Sequence, residues 1–341
     1  MKKSLITLGV LALFVLMAYG QEKKFALYSV AFYNMENLFD TIHDEGKNDY
    51  EYLPNGTNQW NTMKYKAKLK NMSEILSMLS TDKLPMGPAI IGVSEIENYR
   101  VLEDILKQPV LADRGYQYVH YEGADQRGVD CAFFYNPKLF ELTNSKLVPY
   151  VYINDTVHKT RGFLIASGNI AGEKMHFIVN HWPSRAAASP ARERAGEQVR
   201  AIKDSLLRED SAAKIVIMGD MNDDPMDKSM AVALGAKRKP ADVGPTDLYN
   251  PWWDTLKKGY GTLMYKGKWN LFDQIVFTGN LLGTDRSTLK FYKHEIFRRD
   301  FMFQKEGKYK GYPKRTQAGG VWLNGYSDHL PTIIYLIKEV K

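Results

Sequence analysis

A mixed α/β fold in a single domain is what the sequence predicts, on three observations. Apolar runs of strand length, bounded by glycine, asparagine or proline, recur along the chain. Two longer stretches repeat their apolar residues at helical spacing and carry charges on their other faces. No repeat, linker or low-complexity tract separates these pieces, so the helices are expected to cover sheet faces that the strands cannot bury alone.

At 341 residues the chain can bury a substantial core, and its 44% hydrophobic and 25% charged residues are ordinary for a globular protein. Its first twenty residues read differently. Lys2 and Lys3 precede an apolar run over 5–17, and Ala18, Tyr19 and Gly20 offer a signal-peptidase cut. That run is short for a membrane span of roughly 20 residues. Residues 1–20 are therefore expected to be an export signal and 21–341 the mature domain, periplasmic or extracellular. No cysteine stands at the cut to take a lipid. Cys131 is the sole cysteine, so no intrachain disulfide can form, and within VDCAFFY it reads as a small buried apolar side chain. Losing Lys2 and Lys3 lowers the formal charge from +7 to +5, which suits a polyanionic substrate without demanding one.

Taken in order, 25–33 predicts the first strand, ending at Asn34, Met35, Glu36 and Asn37. Residues 40–61 lack a sustained period and predict a long surface loop. A helix is expected over 64–79, where Leu69, Met72, Leu76 and Leu79 share one face. The run 89–93 is a buried strand that leads into Ser94, Glu95, Ile96, Glu97 and Asn98, followed by a short helix over 101–107. Further strands are predicted over 116–121, 129–135, 163–170 and 174–180, several joined by hairpin-like turns. The best-patterned helix covers 191–208, with Ala195, Val199, Ile202 and Leu206 in register. Residues 236–267 are irregular and aromatic, and closing strands are expected over 271–277 and 332–337.

The stretch IVIMGDMNDDP at 215–225 organises the rest. Its apolar run breaks at Gly219, so Asp220 and Asn222 emerge at the carboxyl end of a strand, where open α/β sheets place ligands. Read alone, it could be an ordinary acidic turn. But Asn34 and Glu36, Glu95, His181 and Asp273 follow strands in the same way, and Ser327, Asp328 and His329 precede the last one. Oxygen donors with no cysteine pair and no HExxH helix suit Mg²⁺ or Mn²⁺.

In this order, GDMN at 219–222, SDH at 327–329, N-x-E at 34–36, SEIEN around Glu95, FDQI at 272–275 and NHW at 180–182 resemble the endonuclease/exonuclease/phosphatase superfamily of deoxyribonuclease I-like enzymes. The resemblance covers about 32–329. It departs from the usual pattern at Ser94, where glutamine is common, and at Glu36, where many members carry aspartate. It implies a four-layer α/β sandwich, two largely antiparallel sheets packed face to face with helices outside. It also implies that Glu95 is the principal Mg²⁺ or Mn²⁺ ligand, with Asn34 and Glu36 beside it and Asp328 able to share the ion. Asp220 would orient or deprotonate the attacking water, and Asn222 would hold a phosphate oxygen. His329, oriented by Asp273, would contact the scissile phosphate. His181 would be a candidate acid for the leaving oxygen, with Asn180 positioning its ring or meeting phosphate.

Arg127 and Arg161 are further phosphate candidates. Lys237, Arg238 and Lys239 could track a nucleic-acid backbone, and Trp252 and Trp253 could stack bases or pack in the core. The expected function is metal-dependent phosphodiester hydrolysis by an exported, monomeric nuclease with no stable protein partner. The competing readings are a phosphatase, a sphingomyelinase-like phospholipid phosphodiesterase, and a binding module that kept the scaffold without catalysis.

Overall fold

The structure is a computed structural model that describes residues 23–340 apart from Asn154 and Thr156. The expected export signal over 1–20 lies outside the described residues. Among those described, no helix is long and apolar enough to cross a membrane.

Two sheets form the centre. Across its width the six-stranded sheet runs Lys290–Ile296, Thr332–Val340, Lys24–Leu38, Ile90–Ile96, Asp130–Tyr135, Gln117–His120. The seven-stranded sheet runs Glu141–Val148, Phe163–Ile170, Glu173–His181, Lys214–Asp220, Asp273–Thr278, Leu248–Tyr249, Ala236–Lys237. Each is mixed. Lys24–Leu38 lies parallel to Ile90–Ile96, and Glu173–His181 parallel to Lys214–Asp220. A parallel pair needs a crossover, and helices Thr62–Met78 and Ser189–Glu209 supply those of these two long pairs; the two-residue strands Ala236–Lys237 and Leu248–Tyr249 are also parallel, joined by residues 238–247. The first helix is capped by Asn61, whose side chain accepts from Lys64 N at 3.1 Å; the second starts with Pro190 in its first turn.

Two-residue alternation distributes the strand residues between layers. In Lys214–Asp220, Val216 and Met218 point into the core between the sheets, while Ile215 and Ile217 pack on the outer side with Ala195 and Val199 of the second long helix. In the first strand, Val30 and Phe32 join the inter-sheet core, and Ala31 and Tyr33 meet Leu69, Met72 and Ile75 of the first helix. The sheets approach so closely that a Cβ on Gly92 would lie 2.5 Å from Met218 Sδ. The result is the four-layer sandwich, helix, sheet, sheet, helix.

Some expectations need correcting. The first strand continues to Leu38, five residues past its expected end, because its last residues remain paired with Ile90–Ile96 through an irregularity. Glu141–Val148 and Lys290–Ile296 went unread: each is the edge strand of its sheet, with most of its side chains exposed or half-buried, so neither carries an apolar run. Trp252 is core, not a stacking platform; it is fully buried and its Nε1 donates to Ile275 O at 2.9 Å. Lys237 and Arg238 pair with Asp247 and Asp254, and Lys237 lies level with Phe277, at the end of Asp273–Thr278 away from Asp273, so this run does not track a nucleic-acid backbone at the site.

Candidate active site

The carboxyl ends of the two helix-linked parallel pairs reach one end of the sandwich. In the seven-stranded sheet His181, Asp220 and Asp273 stand in a row, His181 paired in register with Asp220 and Asp220 with Asp273. Gly219 makes that row possible: a Cβ there would fall 2.4 Å from Asn180 O, so any larger residue would push the strands apart just before Asp220. In the six-stranded sheet Asn34 pairs with Ser94, and both strands then become irregular, with register shifts between Asn34 and Leu38 and between Ser94 and Ile96. Glu36, Glu95 and Asn222 have φ of 46°, 58° and 52°, a left-handed backbone that side chains with a Cβ adopt at a cost. These bulges re-aim side chains that a regular strand would send to its two faces.

Asn34 Nδ2 lies 3.2 Å from Glu95 Oε1 and 3.0 Å from Asp220 Oδ2, bridging the two sheets. His181 Nε2 stands 3.5 Å from Glu95 and 3.7 Å from Asp220; His329 Nε2 is 3.9 Å from the same Asp220 oxygen. His329 Nδ1 is held by Asp273 Oδ2 at 2.7 Å. The turn carrying His329 is tied down by Ser327, whose hydroxyl donates to Asn34 O at 2.8 Å and accepts from His329 N at 3.0 Å.

Burial sharpens these contacts. It opposes charge on His329, but Asp273 and then Asp220 more than offset it, and the imidazole is raised well above its ordinary range. Asp220 is pushed up by burial and by Asp273 and Glu95, against the pull of His329. His181 goes the other way: burial, with Arg161 and Arg127 nearby, holds it well below its ordinary value. A neutral ring keeps one N–H donor and offers its other nitrogen as an acceptor or ligand.

Asn34, Glu95, His181, Asp220, Asp273 and His329 thus form one contact network. Other candidates are engaged elsewhere. Glu36 turns to Arg315 Nε at 2.8 Å and Thr316 N at 2.7 Å, with Lys68 Nζ at 3.9 Å. Asp328 pairs with the same guanidinium at 3.0 Å through one oxygen, while its other oxygen lies 3.9 Å from His329 Nε2, at the edge of the network. Both expected metal ligands therefore already face a cation, and neither joins Glu95. Asn180, fully buried, donates to Ile178 O and Met218 O, and so braces the strand end and neither meets phosphate nor touches the His181 ring. Asn222 donates to Trp182 O at 3.0 Å, tying its turn to the residue that follows the neighbouring strand Glu173–His181. Arg161 is buried against Asp125 and Trp182 O, which removes it as a phosphate contact; Arg127 stays half exposed, 3.5 Å from Asp125.

A family model described as the endonuclease/exonuclease/phosphatase family matches residues 29–338. The chain belongs to that family. Its activity class is accordingly hydrolysis of phosphoesters. Solved structures share its fold at low identity. An endonuclease/exonuclease/phosphatase family protein from Bacteroides thetaiotaomicron is 14% identical, with TM-score 0.58, covering 93% of this chain and 97% of that one. A B. thetaiotaomicron mannosyl-6-phosphatase is 14% identical, with TM-score 0.56, covering 91% and 99%. TDP2 of D. rerio, complexed with a single-strand DNA product, is 15% identical, with TM-score 0.54, covering 91% and 99%. No curated protein matches the sequence.

For a member of this family a divalent ion is the implied cofactor, and the residues fit one. Glu95, His181 and Asp220 each offer a ligand atom within 4.8 Å of the others, two buried or half-buried carboxylates face each other, and His181 Nε2 stands 3.5 and 3.7 Å from them, an oxygen and imidazole donor set that suits a divalent ion. Asn34 adds an amide to the same space. Lys68 and Arg315 went unnoticed in the sequence. Lys68 did carry a signal, since 68, 72, 75 and 79 follow the buried stripe of the helix and a lysine there must find a partner inside. Arg315 lies in a long irregular segment with no pattern to mark it.

Proposed function

We propose that this protein is an exported, Mg²⁺- or Mn²⁺-dependent hydrolase whose substrate is a small soluble phosphate ester. The observation that carries this reading is the buried meeting of Glu95 and Asp220 across Asn34, with a protonated His329 3.9 Å from Asp220. Two facing carboxylates need a cation, and a buried imidazolium needs an anion beyond Asp273; a phosphate ester with its metal supplies both. His329 would donate to a phosphate oxygen and stabilise the charge that builds on it. Asp220 would orient the attacking water and take its proton. The water oxygen bonds to phosphorus, the ester P–O bond breaks, and the leaving oxygen takes a proton from solvent. The ion, held by Glu95 with Asp220, His181 and Asn34 at hand, would neutralise phosphate charge. Support for export is the Lys2, Lys3 and apolar pattern at the start of the chain.

A nuclease remains the second reading. It is favoured by Arg127, half exposed and close enough to influence His181, and by the likeness to a structure holding a DNA product. Against it, the basic run at 237–239 is largely ion-paired, and Arg185 is neutralised by Asp223, Asp224 and Asp227. The deciding measurement is a turnover panel with Mg²⁺ or Mn²⁺: sugar phosphates, inositol phosphates, sphingomyelin, plasmid DNA, RNA and an aryl phosphate. Fast cleavage of DNA or RNA, with binding that weakens with salt at a log–log slope near −0.9 per phosphate contact, would select the nuclease. Full turnover after exhaustive chelation would reject the metal-dependent mechanism.

A further inference from the structure

Beside the metal site, between the 39–61 loop and the segment 309–320, opens a cavity of about 370 Å³. Glu36 and Asn37 form its inner wall. Asn37 N donates to Glu95 Oε2 at 3.0 Å, so the cavity begins where the candidate ion site ends. Its outer walls include Glu51, Tyr52, Asn58, Arg315 and Gln317. We propose that this cavity receives the uncharged, polyhydroxylated part of the substrate, a sugar ring whose phosphate lies at His329 and Glu95. The proposal rests on the phosphoester-hydrolase reading and narrows its substrate.

Three features lead there. The volume is at the lower end of small-molecule pockets, which run from about 300 Å³ upward, and matches a single small ring better than a polymer or an acyl chain. The walls present side-chain amides, carboxylates and a phenol, groups that pair with adjacent hydroxyls as donors and acceptors, and they offer little apolar surface for a lipid tail. Asn58 meets the rest of the protein through its backbone, N to Glu51 O at 3.2 Å and O from Lys64 Nζ at 2.7 Å, which leaves its amide for a ligand. Tyr52 is held in place by stacking on Phe39 with centroids 4.1 Å apart. Charge excludes the alternatives. Among the described residues that line it the one guanidinium, Arg315, is already bonded to Glu36 and Asp328, whereas Glu51 has no such partner in the lining, so a second phosphate would enter a wall with excess negative charge.

The test compares kcat/KM for hexose 6-phosphates with kcat/KM for p-nitrophenyl phosphate, whose leaving group needs no hydroxyl contacts. In Asn58→Ala and Gln317→Ala the ratio of the two is expected to fall about tenfold each, the effect of one lost polar contact. Thermal melts establish that each variant is folded; if one is not, Asn58→Leu takes its place. An unchanged ratio, or a wild-type preference for 5′-nucleotides over every sugar phosphate, would overturn the pocket assignment. Failure of the wild type on p-nitrophenyl phosphate and every other ester would instead overturn the hydrolase reading. In that case calorimetry of a free hexose on the protein still decides the pocket: binding weakened by Asn58→Ala supports it, and no binding at millimolar sugar overturns it.

Discussion

At the scale of single residues, the site depends on groups whose charge is set by one another. His329 holds a proton because Asp273 contacts its Nδ1 at 2.7 Å inside the protein, leaving Nε2 and its proton for a substrate oxygen. Asp273→Asn keeps the shape and removes the charge. The expected outcome is a fall in kcat of about 10²- to 10³-fold with little change in KM, as for loss of a donor that acts on the transition state. A steady-state assay on an aryl phosphate checks it; a change confined to KM would mean that His329 only binds. Most of this network was legible in the sequence, since Asn34, Glu95, His181, Asp220, Asp273 and His329 each flank a strand. The charge balance was not. Glu36 and Asp328 read as ligands because nothing in the sequence reveals that Arg315, far away and without pattern, lies between them.

At the scale of elements, strand ends do the positioning, and Gly219 is their tightest point. An added Cβ would meet backbone, which cannot swing aside as a side-chain tip can. Gly219→Ala is therefore expected to cost about 1–3 kcal/mol, the range for overpacking a close contact. It should also lower activity more than that loss of stability explains, because Asp220 is the next residue. Urea denaturation alongside kcat would show both. Inner strands were legible because both their faces are apolar; the edge strands Glu141–Val148 and Lys290–Ile296 were not, since hydrogen bonding to one neighbour suffices to hold them. The second of these carries a pH effect. Burial, with Lys258 nearby, lowers His294 to about 4, and its Nε2 lies 2.9 Å from Thr255 Oγ1. Between the ordinary value near 6.5 and 4, the unfolded chain takes up a proton that the folded chain refuses, so stability is full above pH 6.5 and falls as pH drops through this window. The ring is partly exposed, so the loss should be on the order of 2 kcal/mol. His294→Gln should flatten that part of a stability-against-pH curve, and an equally steep curve in the variant would assign the effect to other groups.

For the whole molecule, the residues alone predicted helices laid over sheets, because both long helices carry a clear apolar stripe, whereas the four layers were what the resemblance of the strand-end motifs implied. The closing of two sheets upon one site was likewise what the resemblance implied, not what composition showed, since bulges and left-handed residues at Glu36, Glu95 and Asn222 leave no mark there. That closing has a thermodynamic consequence. Glu95 and Asp220 come from different sheets and face each other only in the native state, so a divalent ion bound there binds folded protein and not the unfolded chain. It should stabilise by RT ln(1 + [L]/Kd), about 2.7 kcal/mol at a hundredfold excess over Kd. Without the ion the two carboxylates repel, with only Asn34 and the histidines between them. The expected result is a melting temperature that rises with Mg²⁺ or Mn²⁺ after chelation, and that ceases to respond in Glu95→Gln or Asp220→Asn. The same variants, measured without metal, should be at least as stable as the metal-free wild type, because each removes one of two like charges from the interior. Glu36→Gln provides the contrast. Its carboxylate balances Lys68 and Arg315, so this variant should lose stability while keeping its response to metal. A metal response lost in Glu36→Gln but kept in Glu95→Gln would move the ion to the Arg315 side of the cleft.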